Sequence, residues 1–260
     1  MAVIEVQRED QVARVWLNRP ESHNALAPEL GEALAQVFHV LAHDVNVRVV
    51  VLGGRGPSFC AGADIAAMKA SASASFETNL QEAERLAGMF AAIGDFPKPV
   101  VARVHGNVLG GGVGLVCACD VAVATEDARF GLTEVRLGIL PAIISPYVIR
   151  RLGDRNAREL MLTGERIDGA DALRVGLVHH VVPSMGLDAK IAERVDALLA
   201  GGPHAQMRIK TLLELAADTP WEEYRAAMPR TLAEVRASDE ARDGLAAFFE
   251  KRRPRWMGAS

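Results

Sequence analysis

Two glycine-rich segments carry the clearest chemical potential in this 260-residue chain. GGRGPSFCAGADI runs from Gly53 to Ile65, and HGNVLGGGVGL from His105 to Leu115. Each follows an apolar, β-branched run and places small residues where a backbone must be approached closely. Glycine reaches positive φ and leaves no Cβ in a ligand's way. Amides freed in such a loop, or in the first turn of a following helix, attract negative charge. Two such loops converging would hold one oxyanion; taken singly, each reads equally well as a turn after a strand.

The same letters exclude two nucleotide sites. Gly106 and Gly111 have the spacing that opens a phosphate-binding P-loop, but Gly112 and Val113 stand where lysine and serine or threonine are required. Gly110 and Gly112 begin a dinucleotide fingerprint, but Leu115 occupies the third glycine position.

The elements that must position these loops alternate. Val3 to Leu17 reads as a short antiparallel pair, ended by the NRP of Asn18 to Pro20. From Pro28 to about His43, Leu30, Leu34, Val37, Phe38 and Leu41 recur at helical spacing, and Val47 to Leu52 is a strand-like run. The pattern repeats with an amphipathic stretch from Phe76 to Ile93, a strand from Val100 to Val104, the glycine loop, a short apolar helix, and a strand from Val121 to Ala124. Helices alternating with buried strands predict an α/β fold. Beyond Pro183 the strand signal ends, and Ile191 to Leu199, Met207 to Leu215 and Ala237 to Phe249 read as helices. The expected division is a core over 1–195 and a helical region over 196–260, with Asp154 and Arg155 beginning a helix of their own.

Composition narrows the class. Half the residues are hydrophobic, 24% are charged, and the net charge is −4. No apolar stretch is long enough for a bilayer and no secretory signal is visible, so a soluble cytoplasmic protein without membrane partners is expected. The three cysteines, Cys60, Cys117 and Cys119, read as reduced core residues. The histidines lack metal-ligand spacing, so no metal is expected. Basic residues are dispersed except near the C-terminus, which argues against nucleic acid. His105, His179 and His180 read as hydrogen-bonded structural residues.

Five segments in order then carry a resemblance: LNRPESHNAL, GPSFCAGADIAAM, KPVVARVHGNVLGGGVGL, ARFGLTEVRLGILP and AFFEKRRP. Together they resemble the enoyl-CoA hydratase/isomerase (crotonase) family across nearly the whole chain. The resemblance implies a spiral of ββα units with a C-terminal helical trimerisation region, assembled as a homotrimer or dimer of trimers. It implies an acyl-CoA substrate and no separate cofactor, coenzyme A being part of that substrate. The thioester oxygen would sit between the backbone N–H groups of Ala63 and Gly111, each donor worth about 2.7–4 kcal/mol to a developing enolate. Coenzyme contacts carry over to His23 through Leu26, including Ala25, and to Ala61 through Ala66, including Asp64 and Ile65. Lys251 is similar to a lysine that reaches the coenzyme's phosphate from a neighbouring subunit; read on its own it is a solvated helix end.

The resemblance makes Glu134 the proton-transferring carboxylate, although glutamate is ordinarily a surface residue. Hydratases of the family carry a second glutamate, where this chain has Gly114. Gly114 is expected to make room for a bulkier acyl group, beside a pocket wall of Ala142, Ile143, Ile144 and Ser145, with Tyr147 lining the same pocket. These departures are similar to 3-methylglutaconyl-CoA hydratases of leucine breakdown. Alternatives are a double-bond isomerase working with one glutamate, a non-catalytic acyl-CoA-binding module, and a nucleic-acid-binding protein that would need a basic face broader than Lys251 to Arg255.

Overall fold

The computed structural model describes residues 2–258. The N-terminal hairpin pairs β1 (Ile4–Glu9) with β2 (Val12–Leu17), Ile4 opposite Leu17 and Glu9 opposite Val12. Helix α1 (Pro28–His43) opens on a proline and buries Leu30, Leu34, Phe38 and Leu41, one stripe of the expected period. Strand β3 (Val49–Gly54) then lies parallel to β2. The short α2 (Ile65–Ser71) and the long α3 (Phe76–Gly94) lead to β4 (Val100–Val104), parallel to β3.

From there β5 (Asn107–Leu109) leads into α4 (Gly111–Ala118), β6 (Val121–Thr125), β7 (Arg129–Gly131) and α5 (Ser145–Thr163). Helix α5 is broken at Gly153, at φ 70° and ψ 165°, so a second helical segment does start at Asp154. Next come β8 (Arg166–Ile167), α6 (Gly169–Arg174), β9 (His180–Val182) and α7 (Leu187–Ala200). Three further helices close the chain: α8 (Pro203–Asp218), α9 (Trp221–Arg236) and α10 (Asp239–Glu250).

The main sheet has the order β1-β2-β3-β4-β6-β9, parallel from β2 onward, and β5-β7-β8 form a small second sheet. Both faces of the central strands β3, β4 and β6 are covered, which is why they read as predominantly apolar runs, whereas the edge strand β1 is largely exposed. Val50, Leu52, Ala102, Ala122 and Ala124 face the larger core with α1, α3 and α4. Their neighbours Val49, Val51, Val101 and Val123 face Leu187, Ile191 and Val195 of α7. Helix α7 is therefore part of the core layer and runs unbroken past residue 195 to Ala200, so the division placed at 195/196 would cut it; the turn at Gly201 and Gly202 is the natural break.

Arg48 ties that break to the sheet. It is 7% exposed, and its guanidinium donates to the carbonyls of Leu199, Gly201 and Trp256. Helix α9 is absent from the expected C-terminal helices, Pro229 inside it being a residue that ordinarily breaks a helix. Phe248 and Phe249 of α10 are each 77% exposed. Among the described residues no helix is long and apolar enough to cross a membrane.

Candidate active site

The two glycine segments meet. Cys60 pairs with Val108 in a parallel bridge, Cys60 N–H donating to Asn107 O at 3.2 Å and Leu109 N–H to Cys60 O at 3.0 Å. The approach is so close that a Cβ on Gly112 would lie 2.3 Å from Cys60 O. Burial lifts the Cys60 and Cys117 thiols to about 12, and Cys119 is also raised, so all three stay protonated core residues.

A third loop completes the knot. Asn24 is fully buried; its side-chain oxygen accepts from Arg19 N–H at 2.8 Å, and its amide donates to Arg55 O at 2.9 Å and Ser58 O at 2.8 Å. Two residues on, Leu26 N–H donates to Gly62 O at 2.7 Å and Asp64 N–H donates to Leu26 O at 3.2 Å. This parallel bridge turns the N–H of the intervening Ala63 the other way, and it donates to no atom among the described residues. Gly111 is the first residue of α4, where an N–H has no intrahelical acceptor, and it too is unpaired among the described residues. Ala63 and Gly111 both line one cleft of about 660 Å³.

Glu134 lines the same cleft. It stands in the 3-10 turn Thr133–Leu137 after β7, and Gly110 N–H donates to Gly131 O at 2.8 Å, fastening that strand to the glycine loop. Gly110 has φ 48° and ψ −115°, and a Cβ there would lie 2.9 Å from Glu134 Oε1. Glu134 Oε2 is buried without a hydrogen-bond partner among the described residues. Desolvation raises its pKa, opposed by a hydrogen bond from its own backbone N–H. A carboxylate with one free oxygen, beside two free N–H donors, can move a proton on a substrate whose oxygen those donors hold.

The other expected site residues divide. Leu26, Ala61, Ile65 and Ile143 line the cleft, as do Ala142 and Ile144. Asp64 acts from behind it: Oδ1 caps α2 by accepting from Ala66 N–H at 2.9 Å, and Oδ2 pairs with Arg19 at 3.1 Å. His23 sits at φ 52° with Nδ1 2.9 Å from Ser58 Oγ, its carbonyl accepting from Ala61 N–H at 3.0 Å, while Ala25 O accepts from Arg19 at 2.9 Å. These residues brace the loop and do not line the cleft. Lys251 is an exposed left-handed residue ending α10, and it too is absent from the lining.

Two expectations are corrected. Gly114 opens no room: a Cβ there would lie 2.3 Å from Ile144 Cγ2 and 2.9 Å from Phe90 Cε1, so neighbouring side chains have taken the space. Tyr147 packs behind the wall against Gly94, its ring 5.9 Å from Phe90, and does not line the pocket. The stretch supplies Ala142, Ile143 and Ile144 to the lining but not Ser145, whose hydroxyl donates to Ala142 O at 2.8 Å. Leu86 and Phe90 of α3 are lining residues the sequence reading did not single out; their four-residue spacing on one helix face was the available signal. His105 is structural, its Nε2 donating to Gly56 O at 2.9 Å.

With this geometry in view, the model of the family described as enoyl-CoA hydratase/isomerase matches residues 7–259. A Thermus thermophilus protein carrying the name of an enoyl-CoA hydratase is 36% identical over 245 residues, covering 94% of this chain and 97% of its own length. The 2,3-dehydroadipyl-CoA hydratase of Escherichia coli is 33% identical over 262 residues, covering 99% of this chain and 100% of its own. The crystal structure of an enoyl-CoA hydratase from Shewanella pealeana superposes with a TM-score of 0.94 at 37% identity, covering 98% of this chain and 96% of that one.

Proposed function

Because the chain belongs to the enoyl-CoA hydratase/isomerase family, we propose that its cleft binds a 2-enoyl-CoA thioester and reversibly hydrates it. The observation that carries this reading is the convergence on one cleft of the free N–H groups of Ala63 and Gly111 with the unpartnered carboxylate oxygen of Glu134. In the forward direction the oxygen of water bonds to C3 of the acyl group, and the water's proton passes to Glu134. The C2–C3 double-bond pair moves into the thioester, whose oxygen takes negative charge between the two N–H groups. C2 then takes a proton from Glu134, restoring the carbonyl. A raised carboxyl pKa suits a group that must both accept and return a proton near neutrality.

The finer reading is a short branched acyl group, with 3-methylglutaconyl-CoA as the best single candidate. Its support is the hydrocarbon wall of Leu86, Phe90, Ile143 and Ile144, with Arg85 the cation of the lining and so the group available to a distal carboxylate. The Escherichia coli relative is named for 2,3-dehydroadipyl-CoA, also a thioester of a dicarboxylic acid. A second reading, the one-carboxylate double-bond isomerase, is favoured by the apolar filling at Gly114. The exposed Phe248 and Phe249 of α10 support assembly as a homotrimer or dimer of trimers.

Turnover of purified protein against crotonyl-CoA, 3-methylglutaconyl-CoA and a 3-enoyl-CoA tests these readings through the conjugated thioester absorbance. Loss of absorbance fastest with 3-methylglutaconyl-CoA supports the branched hydratase. A gain with the 3-enoyl substrate and no hydration of either 2-enoyl substrate establishes the isomerase instead.

A further inference from the structure

The bridge that aims Ala63 is one residue pair long. Leu26 N–H donates to Gly62 O at 2.7 Å and Asp64 N–H to Leu26 O at 3.2 Å, and no strand extends the pairing on either side. The segment that delivers Leu26 is strained: His23 and Asn24 are consecutive non-glycine residues in the left-handed region, at φ 52° and φ 56°. L residues keep that conformation only where surrounding contacts hold them in it. The buried side chain of Asn24 supplies one hold, through Arg19 N–H, Arg55 O and Ser58 O.

Arg19 supplies the other, and it reaches both sides of the bridge. Its Nη1 donates to Ala25 O at 2.9 Å and to Asp64 Oδ2 at 3.1 Å, and its Nη2 lies 3.1 Å from the same Asp64 oxygen. Ala25 precedes Leu26 and Asp64 follows Ala63, so one planar guanidinium spans the bridge from behind. The Arg19 and Asp64 side chains are 17% and 14% exposed, so water screens the pair little. Glu29 Oε1, 3.9 Å from Nη2 on a side chain 58% exposed, adds little. The second Asp64 oxygen accepts from Ala66 N–H at 2.9 Å and Ala67 N–H at 3.3 Å, which joins the clamp to the first turn of α2. Arg19, Ala25 and Asp64 all lie outside the cleft lining.

We propose that Arg19 is a positioning residue for the reaction: by clamping Ala25 O to the Asp64 carboxylate it fixes the direction of Ala63 N–H, one of the two donors to the thioester oxygen. The inference rests on reading the cleft as an enoyl thioester site. Its effect is selective. A tilted Ala63 N–H still meets the weakly charged oxygen of a bound thioester loosely, but the charge that develops as the enolate forms requires a donor already aimed. Loss of the clamp therefore lowers turnover and leaves ground-state binding nearly intact. Lysine does not replace arginine here, because an ammonium lacks the planar fork that meets a carbonyl and a carboxylate together.

The test reads the infrared carbonyl stretch of butyryl-CoA, labelled with carbon-13 at the thioester carbonyl and bound to the protein; the saturated chain does not react. Hydrogen bonds from Ala63 and Gly111 lower that frequency relative to free butyryl-CoA. Arg19→Lys is expected to lose about half of the lowering, one of two donors being misaimed. Its kcat with crotonyl-CoA is expected to fall about 10²-fold at a nearly unchanged KM. Asp64→Asn keeps an oxygen for the α2 amides, removes the charge that Arg19 holds, and is expected to give the same two changes. The double variant is expected to match the worse single one, and losses that multiply overturn the clamp. Arg48→Lys, at a buried arginine outside the cleft lining, is the control: it is expected to melt lower and to keep the full lowering and full turnover. An equal spectral loss in Arg48→Lys overturns the proposal, since general loosening then suffices. A full lowering and undiminished kcat in Asp64→Asn, with butyryl-CoA bound, overturn it even if Arg19→Lys fails to fold. A wild-type protein that binds no butyryl-CoA, or binds it without lowering the frequency, overturns the oxyanion reading itself and the proposal with it.

Discussion

Gly110→Ala is the sharpest probe of how the loop positions the carboxylate. At φ 48° and ψ −115° the backbone is in a region that L residues avoid, and the added Cβ would sit 2.9 Å from Glu134 Oε1. Strain of this kind costs about 1–3 kcal/mol. At about 2–4 °C per kcal/mol for a chain of this size, a fall in melting temperature of about 4–8 °C is expected for a central value of about 2 kcal/mol. Relief of the contact falls on Glu134, whose other oxygen is unpartnered and holds it in place with no bond. A displacement of up to about 1 Å at a reacting group costs about 10²-fold in rate. Gly176→Ala is the control: φ there is 80°, the nearest atom to its Cβ would be 3.9 Å away, and it is outside the cleft lining. It should lose comparable stability and keep its turnover. Thermal melts and 2-enoyl-CoA turnover at 25 °C on both variants decide the matter; full activity in Gly110→Ala would refute the reasoning that this glycine exists to seat Glu134.

Three further outcomes follow from the structure. Glu134 has a folded pKa raised above its ordinary 4.5, so the folded state holds its proton more tightly than the unfolded state, and stability falls as pH rises from 4.5 through the folded value. Glu134→Gln removes this penalty: it should melt higher than wild type at pH 7, with the gap closing below pH 4.5. Asn24→Ala deletes three satisfied bonds and strands the buried carbonyl of Ser58 and the half-buried carbonyl of Arg55, a loss of about 3 kcal/mol measurable by denaturant unfolding. Arg48→Lys, which cannot reproduce the planar fork reaching Leu199, Gly201 and Trp256, should destabilise by about 2 kcal/mol and make the segment after α7 the first to be cut by protease.

Much of this was legible in the sequence because periodicity reports burial. The alternation of Val49 to Leu52 belongs to a strand covered on both faces, and Leu30, Leu34 and Phe38 to a helix covered on one. The convergence of the two glycine loops came from the family resemblance, since glycine concentration alone read equally well as two turns; close approach at Gly112 and positive φ at Gly110 give the physical reason for those glycines. What stayed hidden depends on partners distant in the chain. A glycine at 114 reads equally as an opened pocket or as a filled one, and only the fold brings Ile144 and Phe90 against it. Tyr147 lies at helical spacing from Ile143 and Ile144, but the helix turns its ring toward Gly94. Asn24 and Arg48 are polar letters in ordinary surroundings, and their structural weight comes from carbonyls up to 208 positions away. Asp64, expected at the coenzyme, is bound to the α2 amides and Arg19 because a carboxylate before a helix is first a cap.

The central claim is that Glu134 moves the proton while Ala63 and Gly111 hold the enolate oxygen. Its most direct test is Glu134→Gln, an isosteric change that removes the proton acceptor and leaves the backbone donors intact. Unchanged binding of a saturated acyl-CoA is expected, with turnover of the best 2-enoyl-CoA or 3-enoyl-CoA substrate reduced about 10²–10⁴-fold. Undiminished turnover with normal acyl-CoA binding would contradict it.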